Sequence, residues 1–129
     1  MNLLFLELTI LTGDGANPDL YDIFDAADVR FGANMIGTAQ GYPTVLGKYP
    51  TMNGSDNITI LRVEEMHLIY AEAMLRAGDT ATALTYLNNI PAIRGAAPYA
   101  SATLDNILLE RRKEFYFEGL RYDDLLRTG

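Results

Sequence analysis

The chain has 129 residues, no cysteine and a single histidine, His67. The absence of cysteine excludes disulfides, thiolate zinc sites and cysteine nucleophiles, and it leaves no residue in this chain to carry a bacterial lipid anchor. His67 follows Glu64 at the E-x-x-H spacing of di-iron helical bundles, but such a site needs a second E-x-x-H and two further glutamates. We therefore predict no metal site and no cofactor.

Positive charge is scarce in the first half of the chain. The formal net charge is −7, and residues 1–60 contain seven acidic residues against only Arg30 and Lys48. Nucleic acid and anionic membrane surfaces would repel such a chain, so neither is predicted as a partner. Residues 61–129 contain ten acidic and eight basic residues, a near balance that indicates charges pairing with one another.

Long apolar runs are also missing. The opening MNLLFLELTIL contains Glu7, has no basic residue before its apolar part, and is too short to span a membrane. We predict no targeting signal in this chain and expect the segment to be a strand or helix of the fold.

Residues 1–57 are predicted to be rich in loops. Glycine, proline and asparagine recur from residue 12 onward without a sustained helical period, so we expect only one short helix, over Leu20–Val29, and one or two short strands. Tyrosines in loop-like segments are candidates either for stacking on sugar rings or for ordinary packing. The glycan-binding candidates are Tyr42, Tyr49 and Tyr99.

Residues 58–129 show helical periodicity. A first helix is expected from Arg62 to a C-terminal cap at Gly78, and a second starts at Asp79 or Thr80 and is ended or kinked by Pro91. The inward positions predicted for the first helix are Met66, Ile69, Tyr70, Ala73, Met74 and Ala77, and those for the second are Ala83, Leu84, Leu87 and Ile90. A third helix, capped by Ser101 or Thr103 and broken by Gly119, and a last one over Leu120–Arg127 complete the prediction.

The first two helices have the spacing of a tetratricopeptide-type hairpin. Gly78 supplies the turn, Ala83 the close helix crossing and Leu87 the following large apolar position. The predicted fold class is all-α: a tetratricopeptide-like hairpin and C-terminal helices, with a loop-rich N-terminal half. We predict that 1–129 is a single partial domain, divided into a loop-rich segment (1–57) and a helical region (58–129).

The C-terminal stretch ERRKEFYFEGLRYDDLLRTG is dense in charges and aromatic rings. The carboxylates Glu110, Glu114 and Glu118 lie among arginines, which favour the ionised form and disfavour a general acid, so no catalytic residue is predicted. Interleaved acids and bases also argue against a nucleic-acid surface. We predict structural ion pairs at helical spacings: Arg111–Glu114, Glu118–Arg121, Arg121–Asp124 and Asp123–Arg127.

The order and spacing of these motifs closely resemble the C-terminal part of the SusD/RagB family. The resemblance rests on an Arg-x-x-Glu helix leading into AEA, on Gly-Asp, Ala and Leu-Asn, and on the Glu-Arg-Arg, Glu-Gly-x-Arg and Asp-Leu-x-Arg elements. The signature residues, interpreted as architectural, are Arg62, Glu65, Glu72, Glu110, Arg111, Arg112, Glu118, Arg121, Asp124 and Arg127. The chain departs from the pattern after Leu-Asn, where Pro91 and Ile93 replace arginines and only Arg94 remains.

This resemblance implies a non-enzymatic glycan- or nutrient-binding lipoprotein on the surface of the outer membrane. Its implied partners are an oligosaccharide and a TonB-dependent, SusC-like transporter. It would meet the membrane only through a lipid anchor that this chain lacks, so we expect the chain to be a fragment. The alternative is a helical-repeat module that binds a protein and has no sugar site of its own.

Overall fold

A computed structural model of the chain describes residues 20–32, 35–39, 42–45, 47–50 and 55–129. Its helices are α1 (Val63–Arg76), α2 (Thr80–Arg94), α3 (Leu104–Glu114) and α4 (Leu120–Thr128). They are preceded by a 3-10 helix at Leu20–Ile23 and an antiparallel hairpin of strands β1 (Ile36–Ala39) and β2 (Tyr42–Val45), in which Ile36 is opposite Val45. The predicted helical fold class is confirmed. The opening segment 1–11 lies outside the described residues.

Helices α1 and α2 form the predicted tetratricopeptide-like hairpin. Gly78 has a positive φ of 87° and donates its N–H to the carbonyl of Leu75, and Asp79 N–H reaches back to the carbonyl of Met74. Only glycine adopts this left-handed conformation without steric cost. Asp79 then caps α2, because its side chain accepts a hydrogen bond from Thr82 N–H at 3.0 Å.

The inward face predicted for α1 is wrong. Met66 and Ile69 are each 48% exposed, whereas Leu68 and Ala71 are completely buried against the other helices. Apolar residues occupy both sides of α1, so periodicity alone could not decide which side faces the core. The prediction for α2 was better, since Ala83, Leu87 and Ile90 are buried as expected and Leu84 is half-buried.

Pro91 does not end α2, which continues to Arg94. Proline removes one main-chain hydrogen bond, but Pro91 stands within one turn of the helix end and its ring is buried in the core. Gly95, with φ 70°, terminates the helix, and the carbonyl of Pro91 accepts the N–H of Ala96 at 3.1 Å. A Cβ on Gly95 would also lie 3.0 Å from the carbonyl oxygen of Ala27, so glycine is needed there.

Helix α3 begins as predicted, with Thr103 accepting the N–H of Asn106, but it ends at Glu114 and not at Gly119. The chain turns through Phe115–Gly119, where Phe117 has a positive φ of 61°. The main core is formed by Leu68, Ala71, Leu87, Ile90, Ile107 and Phe115.

The N-terminal segment, residues 20–32, packs on the same helices through a smaller core of Leu20 and Tyr116. The helix predicted over Leu20–Val29 is shortened to Leu20–Ile23, and the chain then turns. Beyond the turn, Val29 N–H donates to the carbonyl of Arg94 at 2.9 Å. This bond holds the segment against the end of α2.

Candidate functional site

Six charged residues, here called the inner cluster, lie where the N-terminal segment meets the helices. They are Asp28, Arg30, Arg62, Arg94, Glu110 and Glu114. Four of them are buried, with Glu110 wholly inaccessible, while Arg62 and Arg94 are half-buried. Buried charges are tolerated only when they are paired and hydrogen-bonded, so the geometry of the cluster matters.

Glu114, the last residue of α3, is the centre of the inner cluster. Its Oε1 accepts hydrogen bonds from Arg62 Nη1 at 2.8 Å and Arg94 Nη2 at 2.7 Å. Its Oε2 accepts from Arg30 Nη1 at 2.9 Å and Arg94 Nε at 3.1 Å. Arg30 belongs to the N-terminal segment, Arg62 precedes α1 and Arg94 ends α2. One carboxylate therefore joins three separate parts of the chain to α3.

Arg30 is held by two further carboxylates. Its Nη1 donates to Glu110 Oε1 at 2.6 Å, and its Nε and Nη2 donate to the two oxygens of Asp28 at 2.9 and 2.7 Å. The other oxygen of Glu110 accepts the hydroxyl of Tyr99 at 2.9 Å. Every side of this buried guanidinium thus meets an acceptor.

The ionisation of the inner cluster follows from these contacts. Burial by itself would raise the pKa of Glu114, but the hydrogen bond and charge of Arg94 and the charges of Arg62 and Arg30 more than offset it, so the pKa lies below its ordinary value. Burial and the adjacent Glu110 raise the pKa of the Tyr99 hydroxyl. A carboxylate held ionised in this way suits ion pairing and does not suit proton donation.

Lys48 lies just after the β-hairpin and hydrogen-bonds the turn that follows α3. Its Nζ donates to the carbonyl oxygens of Glu114 at 2.7 Å and Tyr116 at 3.0 Å, and it also contacts the Glu118 carboxylate. The same amine lies 4.0 Å from the centre of the Tyr116 ring. Burial lowers the pKa of Lys48 to about 8, although Glu118 favours the charged form.

Five residues, here called the outer cluster, lie on the other side of α3. They are Glu72, Arg76, Arg111, Asp124 and Arg127. Arg111 Nε donates to both oxygens of Asp124 at 2.9 and 2.8 Å, and Arg127 bridges from Asp124 to Glu72. Two arginines of this cluster reach solvent, because the side chains of Arg76 and Arg127 are 59% and 39% exposed.

The predicted ion pairs at helical spacings are largely wrong. Arg111 pairs with Asp124 on α4 and not with Glu114, and Glu118 pairs with Lys48 and Arg62 and not with Arg121. Glu118 lies in the turn Phe115–Gly119, outside the helical register assumed for the prediction, whereas Arg111 and Glu114 share α3 but bond to partners in different clusters.

Two signature arginines, Arg121 and Arg112, lie outside both clusters. The Nε of Arg121 is buried and has no hydrogen-bond partner among the described residues. Burial lowers the pKa of Arg121, and the charge of Asp124 only partly offsets the effect. Arg112 is also buried.

Sequence reasoning missed several members of the inner cluster. Asp28 and Arg30 were assigned no site role, and neither was Lys48 outside the cluster, while Arg94 was noted only as the remnant of a family arginine. Arg30 and Lys48 are the only basic residues in the first half of the chain, and this isolation was the available signal.

The glycan-binding candidates lie in three different environments, and their role stays a prediction. Tyr99 packs on the main core and hydrogen-bonds Glu110, and Tyr49 is half-buried with its hydroxyl 3.3 Å from the carbonyl of Phe117. Tyr42 is the first residue of β2, opposite Ala39.

Two grooves flank the charged clusters. One, here called the arginine groove, has a volume of about 350 Å³ and is lined by Ile69, Glu72, Ala73, Arg76, Arg111 and Arg127. The other, of about 280 Å³, runs beside residues 58–62 and is closed by Phe115, Glu118 and Leu120. Arginines make up half of the residues that line the first groove, whereas apolar residues make up half of those that line the second.

Within the described residues no group of histidine, aspartate and glutamate side chains is arranged to hold a metal ion. His67 lies beside Asn89, with its Nδ1 3.2 Å from the amide nitrogen. None of the helices in the described ranges is long and apolar enough to cross a bilayer.

The fold and the two charged clusters together define a tetratricopeptide-like helical protein. In it, arginine–carboxylate pairs join the turns and the ends of the helices. Residues 40–129 match the model of the SusD family. Over 83 residues the chain is 35% identical to a SusD-like protein of Bacteroides ovatus, an alignment that covers 62% of this chain and 15% of that relative. The chain belongs to the SusD family.

The fold is also similar to a solved structure. A crystal structure of a protein from Bacteroides vulgatus, named as a candidate sugar-binding protein, matches with a TM-score of 0.67 and 36% sequence identity. The match covers 84% of this chain and 26% of that one. The chain therefore spans well under a third of the length of these two relatives.

Proposed function

We propose that this chain is part of a non-catalytic, outer-membrane nutrient-binding protein that captures oligosaccharides and delivers them to a TonB-dependent, SusC-like transporter. The observation that carries the proposal is the match of residues 40–129 to the SusD family, supported by the similarity to a structure named as sugar-binding. The location at the outer membrane and the transporter partner are inferred from membership of the SusD family.

The geometry supports a binding role over an enzymatic one. The carboxylates at the centre of the inner cluster are bonded to arginines or to a tyrosine, and Glu114 is held ionised. These bonds fix the chain in one arrangement, and the ionised Glu114 has no proton to give. We infer that 1–129 is a single partial domain. In it, residues 58–129 form the helical scaffold that supports the loop-rich residues 1–57.

The test is a thermal melt of the full chain with a panel of neutral oligosaccharides. A ligand that binds only the folded state stabilises it by RT ln(1 + [L]/Kd), so the melting temperature rises with the logarithm of the ligand concentration once this exceeds Kd. We expect one glycan class to raise it and Tyr42→Ala to abolish the increase. Tyr122→Ala, an exposed tyrosine on α4, is the matched control and should leave the increase intact. A cooperative melt that no oligosaccharide moves would contradict a sugar site in this chain.

One observation favours the alternative, a protein-interaction module. The outer side of α1 is an exposed apolar stripe of Val63, Met66, Ile69 and Tyr70. Contiguous exposed apolar surface is typical of a face that another protein element covers. Co-purification of a transporter through this stripe, lost in Met66→Glu while no sugar alters the melt, would support the alternative over the sugar site.

A further inference from the structure

The arginine groove has an unusual lining for a surface cleft. Three of its six lining residues are arginines and only Glu72 is acidic, while Ile69 and Ala73 give it an apolar floor. Its volume of about 350 Å³ is at the small end of ligand sites, which suits a ligand of one or two sugar rings. The mixture of cations and an apolar floor indicates a ligand with both an anionic group and an apolar face.

Arg111 is the residue that points to a ligand. It is only 6% exposed, and its Nε is committed to Asp124. Its Nη1 and Nη2 make no hydrogen bond within the described part of the chain, although Nη2 forms a long ion pair with Glu65 Oε1 at 3.9 Å and the guanidinium carbon lies 5.3 Å from the centre of the Phe115 ring. The two Nη groups of one guanidinium present parallel N–H donors that match the two oxygens of a carboxylate.

Arg76 and Arg127 stand beside it. Both donate to the same oxygen of Glu72, at 2.7 and 2.6 Å, and Arg76 Nη1 makes no hydrogen bond among the described residues. Because Arg76 is 59% exposed, its guanidinium can turn toward an incoming anion without breaking a buried pair. The chain as a whole carries a charge of −7, so a ligand with one carboxylate is favoured over a polyanion.

We propose that the arginine groove binds the carboxylate of an acidic sugar, such as a uronic acid, with Arg111 as the principal partner and Arg76 as the outer one. The sugar part of this inference rests on the proposed function. The carboxylate part rests on the groove alone.

The experiment is calorimetric titration of the full chain with a matched pair of ligands, methyl glucuronide and methyl glucoside, which differ only in the carboxylate. We expect the glucuronide to bind roughly tenfold more tightly, the low end of the effect of a charge-assisted hydrogen bond. Its affinity should fall as salt is added, because the groove is partly open to solvent. Acetate is titrated in parallel to separate a sugar site from a general carboxylate site.

Variants locate the binding in the groove. Arg76→Gln should weaken glucuronide binding several-fold, whereas Glu72→Gln should strengthen it by removing the competing carboxylate. Ala73→Leu fills the floor without changing charge and should abolish binding. Ala81→Leu makes the same change at an exposed position of α2 outside the groove and should have no effect. A circular dichroism melt of each variant confirms that it folds.

The outcomes separate this inference from the proposed function. Equal affinity for glucuronide and glucoside, or weaker binding in Glu72→Gln that retains the fold, would overturn the inference. Acetate binding as tightly as glucuronide would overturn its assignment to a sugar. Neutral oligosaccharides that raise the melting temperature while the glucuronide fails to bind would leave the proposed function standing without this site. Glucuronide binding without any neutral-glycan effect would support this site and count against the capture of neutral oligosaccharides.

Discussion

The inner and outer clusters are built from the same residue types but differ in their access to water. In the inner cluster, Glu114 is 2% exposed and receives three arginines from three parts of the chain. In the outer cluster, Arg76 and Arg127 are more than a third exposed and can be solvated when a partner is lost. Desolvation makes an unpaired inner charge costly, so the two clusters should respond differently to the same substitution.

The largest effect is expected for Glu114→Gln. The amide cannot satisfy Arg30, Arg62 and Arg94 together, and breaking a buried pair in this way costs about 3–5 kcal/mol in the free energy of unfolding. Urea unfolding measures the loss. Asp105→Asn, the same change at an exposed position of α3, is the control and should stay within about 0.5 kcal/mol of the native chain.

Asp124→Asn should have a smaller effect. Asp124 is buried and accepts bonds from Arg111 and Arg127, but the freed Arg127 can turn into water. We expect a loss of about 1.5–3 kcal/mol, the contribution of hydrogen bonds to charged groups. A loss greater than that of Glu114→Gln would reverse the proposed ranking of the two clusters.

Acid should destabilise both clusters. Burial alone would raise the pKa of Glu114 and Glu72, but bonded arginines hold both below their ordinary value of 4.5. The stabilisation is therefore present above that pH and is lost as the pH falls through the lowered values. Urea midpoints measured from pH 7 to pH 3 should fall, and the fall should be shallower in Glu114→Gln. An unchanged pH slope in that variant would contradict this origin.

Mild alkali should have the opposite effect through Lys48. Burial lowers its pKa to about 8, so the unfolded chain binds a proton above that pH which the folded chain has released. Stability contributed by Lys48 should thus rise between about pH 8 and pH 9.5, before tyrosines ionise. Comparison of urea midpoints for the native chain and Lys48→Met across this range checks it, and parallel curves would refute it.

The smallest effect is expected for Arg76→Ala. Arg76 pairs with Glu72 one turn away on α1 and is mostly exposed, so its loss should cost about 0.3–0.5 kcal/mol. The measurement is again urea unfolding. A loss above about 1 kcal/mol would place Arg76 among the residues that the fold depends on.

The helices and their caps could be predicted because their signals are local. Gly78, Asp79 and Thr103 act through bonds to residues within five positions, and the sequence shows those positions directly. The face of α1 could not be predicted, since its apolar residues surround the helix and the choice depends on how α2 and α3 pack.

The sequence predicted that charged residues would form ion pairs, but it did not predict which residues would pair with each other. The charge balance of residues 61–129 indicated pairing, yet most of the pairs formed join residues far apart, such as Arg30 with Glu114. The turn at Phe115–Gly119 places Glu118 outside the helical register, and Arg111 and Glu114 within α3 bond to partners from other parts of the chain, which helical spacing does not contain. Family resemblance identified the C-terminal signature residues, but its looser lead-in, which includes Arg30 in ADVR, did not identify Arg30 as a partner of Glu114.

The central claim is that the inner cluster holds the N-terminal segment onto the helices. Hydrogen exchange at the amide of Val29, which bonds the carbonyl of Arg94, tests it most directly. In Glu114→Gln this amide should lose protection while amides in the middle of α2 keep theirs. In Asp124→Asn the protection of Val29 relative to the α2 amides should be the same as in the native chain. Equal loss at Val29 in the two variants, or full protection in Glu114→Gln, would contradict the claim.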